Sequence, residues 1–545
     1  MPQLQINQGP QDALLYDNTK SYFTNVGYVR TSNFQLELRD VDPQNSANLG
    51  TTVQFVIPKA ADLLGPTDLR IEFAEPSNAA VASTYAAWVE SVGYAMIERI
   101  TFSVGSHDIE TITGDQLNIM NELMKSDEQR LGNKQLLKTG RGAVSHAITG
   151  SSAYATKADV VNGRLIQQYP TSGSSVTYDG KKLIIPLGLF FTKHPSQYFP
   201  LAAIAGCNDV RIAVKFRTLP ELVVLGHTNY TCASNALDKD GTTPPATPAM
   251  PTFASSVLKE CKLRCHYIHV TGPEATTLMN KEHVRLLKLF QVNSKPFTIG
   301  GGSATAAATT SKGKLVELDL SFLHPVQELI ITIRKASEMS SSTGVPASAK
   351  AKDQLAMAKN YFAYHGGGKD PNVESLVNRT TSLAGAAAGG VSGHIETGFT
   401  NNFLTVMDFK LTLNGQERHP SLASSGLDRE YLMDRLMPML HSNTSHLFTD
   451  VSTGAIHDGS ELDFAHLGEM LDRKEIYVYP FALNPEGSNP SGAVNFSKVS
   501  HAKLQIEGTA DFSTGHTSEE YVCDVYGIYY NWLQIKDGRA LTSFA

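Results

Sequence analysis

Apolar residues recur at every second position along much of this chain, in short runs closed by glycine, proline or asparagine. Val53, Phe55 and Ile57 form one run, and Leu69, Ile71 and Phe73 another. Ile100, Phe102 and Val104 follow, then Val210, Ile212, Val214 and Phe216. Later come Leu318, Leu320 and Phe322, then Leu329, Ile331 and Ile333, then Phe409, Leu411 and Leu413 running into Asn414-Gly415. A period of two is the signature of a strand with one buried face. Asn-Gly between two such strands predicts a hairpin, because a type I′ turn needs positive φ at both central residues. Many short strands with few helices between them predict antiparallel sandwiches rather than parallel βαβ units.

Helical periodicity is sparse. Leu117, Met120, Leu123 and Met124 share one helical face, with Thr113 and Asp115 placed to cap the start. A second helix is expected over 273–284, between two halves of the chain that resemble each other. In the first half a strand pair at 99–110 is followed by PLGLFFTKHPSQYFPLAA and NDVRIAVKF. In the second, FKLTLNGQER is followed by IYVYPFALNPEGSNPSGAVNF and SHAKLQI. The shared order, with His194-Pro195 matching Asn484-Pro485 and Pro200 matching Pro490, predicts one fold duplicated. Pro480, Pro485 and Pro490 cannot donate to a ladder and belong at strand ends, bulges or edges. The stretches 145–182, 220–258, 299–314 and 336–401 are rich in Ser, Thr, Gly and Ala, and are expected to be long loops at one end of each sandwich.

At 545 residues the chain exceeds one ordinary core, so two large domains are the default. Charged residues make up 18%, below the usual quarter, which points to much surface that meets other protein. A net charge of −7, with no basic run interleaved with aromatics, argues against direct nucleic-acid binding. Five cysteines at irregular spacing do not make a disulfide framework, and reduced intracellular folding is expected. The start MPQLQINQGPQDALL lacks the layout of an export signal, and no stretch of about 18 apolar residues offers a membrane span.

Candidate chemistry is thin. His441, His446, His457, Asp458, Glu461, Asp463 and His466 cluster, but their spacing matches no metal-ligand pattern. His365 to Lys369 lacks the strand, spacing and helix of a phosphate loop, and Asp238-Lys239-Asp240-Gly241 lacks the closing glutamate of a calcium loop. Cys261 and Cys265 share a strand face with no second pair to complete a zinc site, so they read as small buried hydrophobes. No Gly-x-Ser-x-Gly elbow is present. No catalytic residue, metal site or cofactor is expected. Asn229, Asn378 and Asn443 are possible glycan acceptors, whereas Asn495, in NFSKV, is expected to make structural hydrogen bonds.

Five stretches in fixed order carry a resemblance to the major capsid proteins of nucleocytoplasmic large DNA viruses, especially those of algae. They are KSYFTNVGYVRTSNFQLEL (20–38), ERITFSVGSHDIETITGDQLNIMNEL (98–123), LIIPLGLFFTKHPSQYFPLAAI, HPVQEL (324–329) and IYVYPFALNPEGSNPSGAVNFSKV (476–499). Val29 and Gln116 depart from the family pattern, where an arginine and an aromatic residue are common. The resemblance implies an all-β double jelly-roll: two tandem eight-stranded antiparallel sandwiches with long loops and a few short helices. The expected division is an arm over 1–20, a first jelly roll over 21–272, a connector over 273–284 and a second jelly roll over 285–545. The implied function is structural, a homotrimeric capsomer of pseudo-hexagonal outline that tiles the facets of an icosahedral virion. Expected partners are neighbouring capsomers, minor capsid and penton proteins, and an inner membrane met through the arm, with assembly in the infected cell. A transient assembly scaffold of the same fold is the first alternative, and a carbohydrate-binding β-sandwich the second.

Overall fold

The structure is a computed structural model that describes residues 33–78, 84–89, 91–125, 165–168, 176–177, 182–206, 208–227, 250–299, 313–336, 361–362, 364, 404–418, 427–428, 431–441, 476–487, 489–510 and 519–543, with single positions at 129, 133, 136 and 137. Among these residues one strand order is used twice. The first sandwich contains β1 (Phe34–Val41), β2 (Thr52–Ile57), β3 (Leu63–Phe73), β4 (Ile97–Val104), β5 (His107–Ile112), β6 (Lys182–Pro186), β7 (Val210–Phe216) and β8 (Leu258–Val270). They pair antiparallel in the orders β1-β8-β3-β6 and β2-β7-β4-β5.

The second contains β9 (His283–Ile299), β10 (Gly313–Asp319), β11 (Pro325–Lys335), β12 (Leu404–Leu413), β13 (Gln416–Glu417), β14 (Ile476–Pro480), β15 (Ala502–Ala510) and β16 (Glu519–Lys536). Their orders are β9-β16-β11-β14 and β10-β15-β12-β13. Each strand of the second sandwich thus takes the place of the strand eight earlier. The duplication expected from the ordered hairpin, Phe-Pro and closing-strand segments is a duplication of topology, and the fold is a double jelly-roll.

The alternating residues fill the interiors of both sandwiches, which run together as one buried cluster. Val53, Phe55, Ile57, Leu69, Ile71, Ile212 and Val214 are buried in the first. There Phe102 meets Phe191 at 5.1 Å and Phe199 at 5.2 Å between ring centroids, while Trp88 stacks on Phe73 at 4.3 Å. In the second sandwich Phe409 packs on Tyr477 at 4.6 Å. Each such ring contributes about 1.5–3 kcal/mol by leaving water.

Local chemistry sets the turns and caps. Asn414 and Gly415 have φ of 52° and 80°, the double positive of the expected turn between β12 and β13. Asn414 Oδ1 also accepts the Ser500 N–H at 2.8 Å, tying that turn to the start of β15. Helix α1 (Gly114–Met124) opens with a reciprocal cap: Thr113 Oγ1 accepts the Gln116 N–H, and Gln116 Oε1 accepts the Thr113 N–H. Gln116, a departure from the family pattern, is therefore the residue that closes the cap. A Cβ on Gly114 would lie 2.2 Å from the Tyr94 carbonyl oxygen, so only glycine lets α1 start against that backbone.

Two expectations are corrected. The helix expected over 273–284 is α2 (Gly272–Asn280), and His283 already belongs to β9, where it pairs with Ile535. Cross-strand pairing along β9 outweighs the helical pattern there. The stretches expected as loops over 145–182 and 220–258 contribute strands Leu165–Gln168, Val176–Thr177 and Val223–His227, which join Thr84–Trp88 in a small separate sheet. These strands are short, and Leu165–Gln168 and Val223–His227 pair with Thr84–Trp88 far away in sequence, so no local periodicity marks the sheet.

Candidate assembly surfaces

The junction between the sandwiches is a buried polar cluster. Arg334, at the end of β11, donates from Nη1 to Asp115 Oδ1 at 2.8 Å and from Nη2 to Asp524 Oδ2 at 2.6 Å. Asp115 sits in the first turn of α1 in the first sandwich, and Asp524 lies on β16 in the second. Burial opposes the Arg334 charge, but the Asp115 and Asp524 carboxylates outweigh it and hold the guanidinium firmly protonated. Arg217, just past β7, lies over the Tyr361 ring at 4.3 Å and 3.9 Å from Asp115. Asn118 of α1 donates to the Tyr364 hydroxyl at 3.2 Å. At the other end of the junction, Ala205 N–H and Asn208 Nδ2 both donate to the Gly538 carbonyl, at 3.0 and 2.8 Å. An arginine pinned by one carboxylate from each side fixes the relative orientation of the two sandwiches.

A second buried cluster holds the segment 431–441 against its own sandwich. Leu432, Leu436 and Leu440 are buried beside β14. His441 then inserts between two carboxylates, Nε2 3.1 Å from Glu328 Oε2 and Nδ1 3.2 Å from Glu486 Oε1. Burial works against its charge, but the hydrogen bonds to Glu328 and Glu486 prevail and raise its pKa to about 9. The imidazolium satisfies both carboxylates with a donor on each nitrogen. Lys288 donates to the carbonyls of Pro485 and Gly487, each at 2.6 Å, and fixes the turn that carries Glu486.

Glu110 on β5 is buried in the first sandwich and accepts the Phe190 N–H at 2.8 Å. Desolvation raises its pKa to about 7, against the pull of Lys193.

The two outward sheet faces differ. On β1-β8-β3 the outward side chains form a solvent-facing lattice: Arg264 makes two bonds to Asp40 at 2.8 and 3.1 Å, Lys259 reaches Glu72 at 2.6 Å, and Lys262 reaches Glu260 at 3.0 Å. Arg70 lies 3.7 Å from Asp40 and 3.8 Å from Glu260. Phe34, Leu36 and Leu38 extend this face as an exposed apolar stripe. The corresponding face of β11 and β16 is closed, with Glu328, Ile330, Thr332, Asp524 and Tyr526 all buried.

Of the residues singled out in the sequence, His441 is placed, and its partners are Glu328 and Glu486 rather than the neighbouring acids. The other members of that cluster lie outside the described residues, as do Asn229, Asn378, Asn443, the 365–369 stretch and the 238–241 stretch. Cys261 and Cys265 are buried, and desolvation pushes both thiols up to about 12. Asn495 Oδ1 accepts the Ser497 N–H at 3.1 Å, the structural role expected of it. No group of three metal-ligating side chains converges among the described residues.

Arg334, Asp524 and Glu110 went unnoticed in the sequence, and Asp115 was read there only as a residue near the helix start available for capping. One signal was available: LIITI at 329–333 is a continuous apolar run, the mark of a strand buried on both faces.

Comparison with known proteins agrees with the fold. A family model described as "Major capsid protein N-terminus" matches residues 21–269. The major capsid protein of Phaeocystis pouchetii virus is 24% identical over 97% of this chain and 96% of its own length. That of Paramecium bursaria Chlorella virus 1 is 23% identical over 98% and 97%. Among solved structures, a chain of the PBCV-1 virus capsid superposes with a TM-score of 0.56 at 18% identity, covering 96% of this chain and all of that one. The Faustovirus major capsid protein superposes at 0.55 and 12% identity, covering 95% and 93%.

Proposed function

We propose that this chain is a major capsid protein of the large-DNA-virus kind and that it forms homotrimeric capsomers of pseudo-hexagonal outline that tile the facets of the icosahedral shell. It is a structural protein of the virion and not an enzyme. The observation that carries the trimer is the repeated strand order: two like sandwiches locked side by side give one chain two sixths of a ring, and three chains supply the six. The rigid junction at Arg334 supports this reading, since a hinge there would spoil closure.

The finer division belongs to the same proposal. Residues 1–20 act as an arm toward neighbouring subunits or an inner membrane, 21–272 and 285–545 act as the two jelly-roll units, and 273–284 links them. Neighbouring capsomers, minor capsid proteins and penton proteins are the partners. The net charge of −7 supports a shell that does not bind the genome directly. Assembly takes place in the infected cell, and Asn229, Asn378 and Asn443 are the candidate glycan acceptors. Quantitative mass spectrometry of purified mature particles tests the permanent-shell role. The chain should rank among the most abundant proteins there; abundance in immature particles with loss from mature ones would make it a scaffold instead.

A further inference from the structure

An Asn-Gly pair is chemically labile, because a glycine without a Cβ leaves its backbone nitrogen free to reach the preceding side-chain carbonyl. The sequence holds two such pairs, Asn162-Gly163 and Asn414-Gly415, and only the second lies among the described residues. Asn414 and Gly415 are exposed, and nothing lies within 4 Å of a Cβ built on Gly415, so water and base can reach the amide.

The closed hairpin nevertheless keeps the reacting atoms apart. With φ of 52° and 80° the two residues form a type I′ turn, in which ψ of the first central residue is about +30°. Closing a five-membered ring between Gly415 N and Asn414 Cγ eclipses that nitrogen with Cβ, which for an L residue needs ψ of about −120°, the type II′ value. The peptide between them must therefore turn by roughly 150°. Hydrogen bonds add a second lock. Asn414 Oδ1 accepts the Ser500 and His501 N–H groups at 2.8 and 3.3 Å, and Asn414 N–H donates to the His501 carbonyl at 2.7 Å. The side-chain carbonyl is thus committed to the start of β15 rather than to the Gly415 nitrogen.

We propose that Asn414 is a spontaneous deamidation site guarded by the closed β12–β13 hairpin, so that an opened or unfolded chain is modified there and a folded one is spared. In the open chain Gly415 N gives its proton to hydroxide and bonds to Asn414 Cγ, and the Cγ–Nδ2 bond breaks to release ammonia. Water then adds to the succinimide: opening at Cγ leaves an aspartate, and opening at the main-chain carbonyl leaves an isoaspartate. One water is consumed and one ammonia released. The aspartate suits the turn, since its carboxylate accepts the same two N–H groups with the added strength of a charge. The isoaspartate does not, because it adds a main-chain carbon to a two-residue loop whose length sets the pairing of Leu413 with Gln416.

The test incubates the full chain, folded and in urea, at one mildly alkaline pH in ¹⁸O-water, and follows the tryptic peptides 158–164 and 411–418 by mass. In urea both Asn-Gly pairs should age at similar rates and take up one ¹⁸O. In the folded chain Asn414 should age on the order of 100-fold more slowly, since only the opened fraction reacts. Ser500→Pro removes the closer N–H donor, and Val499, at φ −96° and ψ 116°, already has the extended backbone that precedes a proline. This variant should speed ageing of the folded chain about tenfold and leave the urea rate unchanged. Melting of Asn414→Asp should occur at or above the parent temperature. A folded parent that ages less than about tenfold more slowly than the unfolded one overturns the guard, and a folded Ser500→Pro that ages at the parent rate overturns the hydrogen-bond lock. If Ser500→Pro fails to fold, the parent comparison alone decides.

Discussion

The Arg334 guanidinium of β11 and the Asp115 carboxylate of α1 meet at 2.8 Å although 219 residues separate them in sequence. That contact, completed by Asp524, is one of several across the junction between two sandwiches whose buried apolar residues run together as one cluster. A buried ion pair adds little net stability compared with well-packed apolar residues, but losing one partner strands the other charge.

Arg334→Met should therefore leave Asp115 and Asp524 as two buried like charges and cost about 3–5 kcal/mol. Calorimetry should show the single transition of the parent splitting into two as the sandwiches uncouple. A single unshifted transition would show that the junction is held elsewhere.

His441 predicts a loss of stability at high pH. Its folded pKa, about 9, lies above its ordinary value of 6.5. The stabilisation is therefore fully present below about pH 6.5 and is lost as pH rises through about 9. The size is on the order of 3 kcal/mol. Chemical denaturation at pH 6.5 and 9.5 should show this decline in the parent and a much smaller one in His441→Gln.

Glu110 acts in a lower window with the same sign. Desolvation raises its folded pKa from 4.5 to about 7, so its protonated form suits the core. That contribution is full below about pH 4.5 and fades as pH climbs through 7. Glu110→Gln can still accept the Phe190 N–H and should flatten the decline in melting temperature between pH 5 and 8.

Gly415 occupies φ of 80° at the tip of the β12–β13 hairpin. Gly415→Ala should destabilise the protein by about 1–2 kcal/mol through left-handed strain alone. Nothing lies within 4 Å of the added Cβ, so steric crowding does not contribute. Denaturant midpoints of the two proteins measure the difference.

Much of the fold was legible because a strand with one wet face writes its period into the sequence. Leu69, Ile71 and Phe73 alternate with Asp68, Arg70 and Glu72, which do face outward as expected. What escaped is where that rule breaks. In β11 the outward positions Ile330 and Thr332 are as buried as Ile331 and Ile333, because another sandwich covers them. Burial on both faces erases the alternation, and nothing local distinguishes that cover from one internal core. His441 was noticed for its neighbours in sequence, yet its carboxylates arrive from Glu328 and Glu486, far along the chain. Long-range polar partners of this kind leave no spacing to read.

The shell account rests most heavily on self-association, and sedimentation equilibrium of the purified chain tests it most directly. Three chains of 59.1 kDa should give a species of about 177 kDa across a wide concentration range. A single species at 59.1 kDa, unchanged up to the highest soluble concentration, would contradict the account.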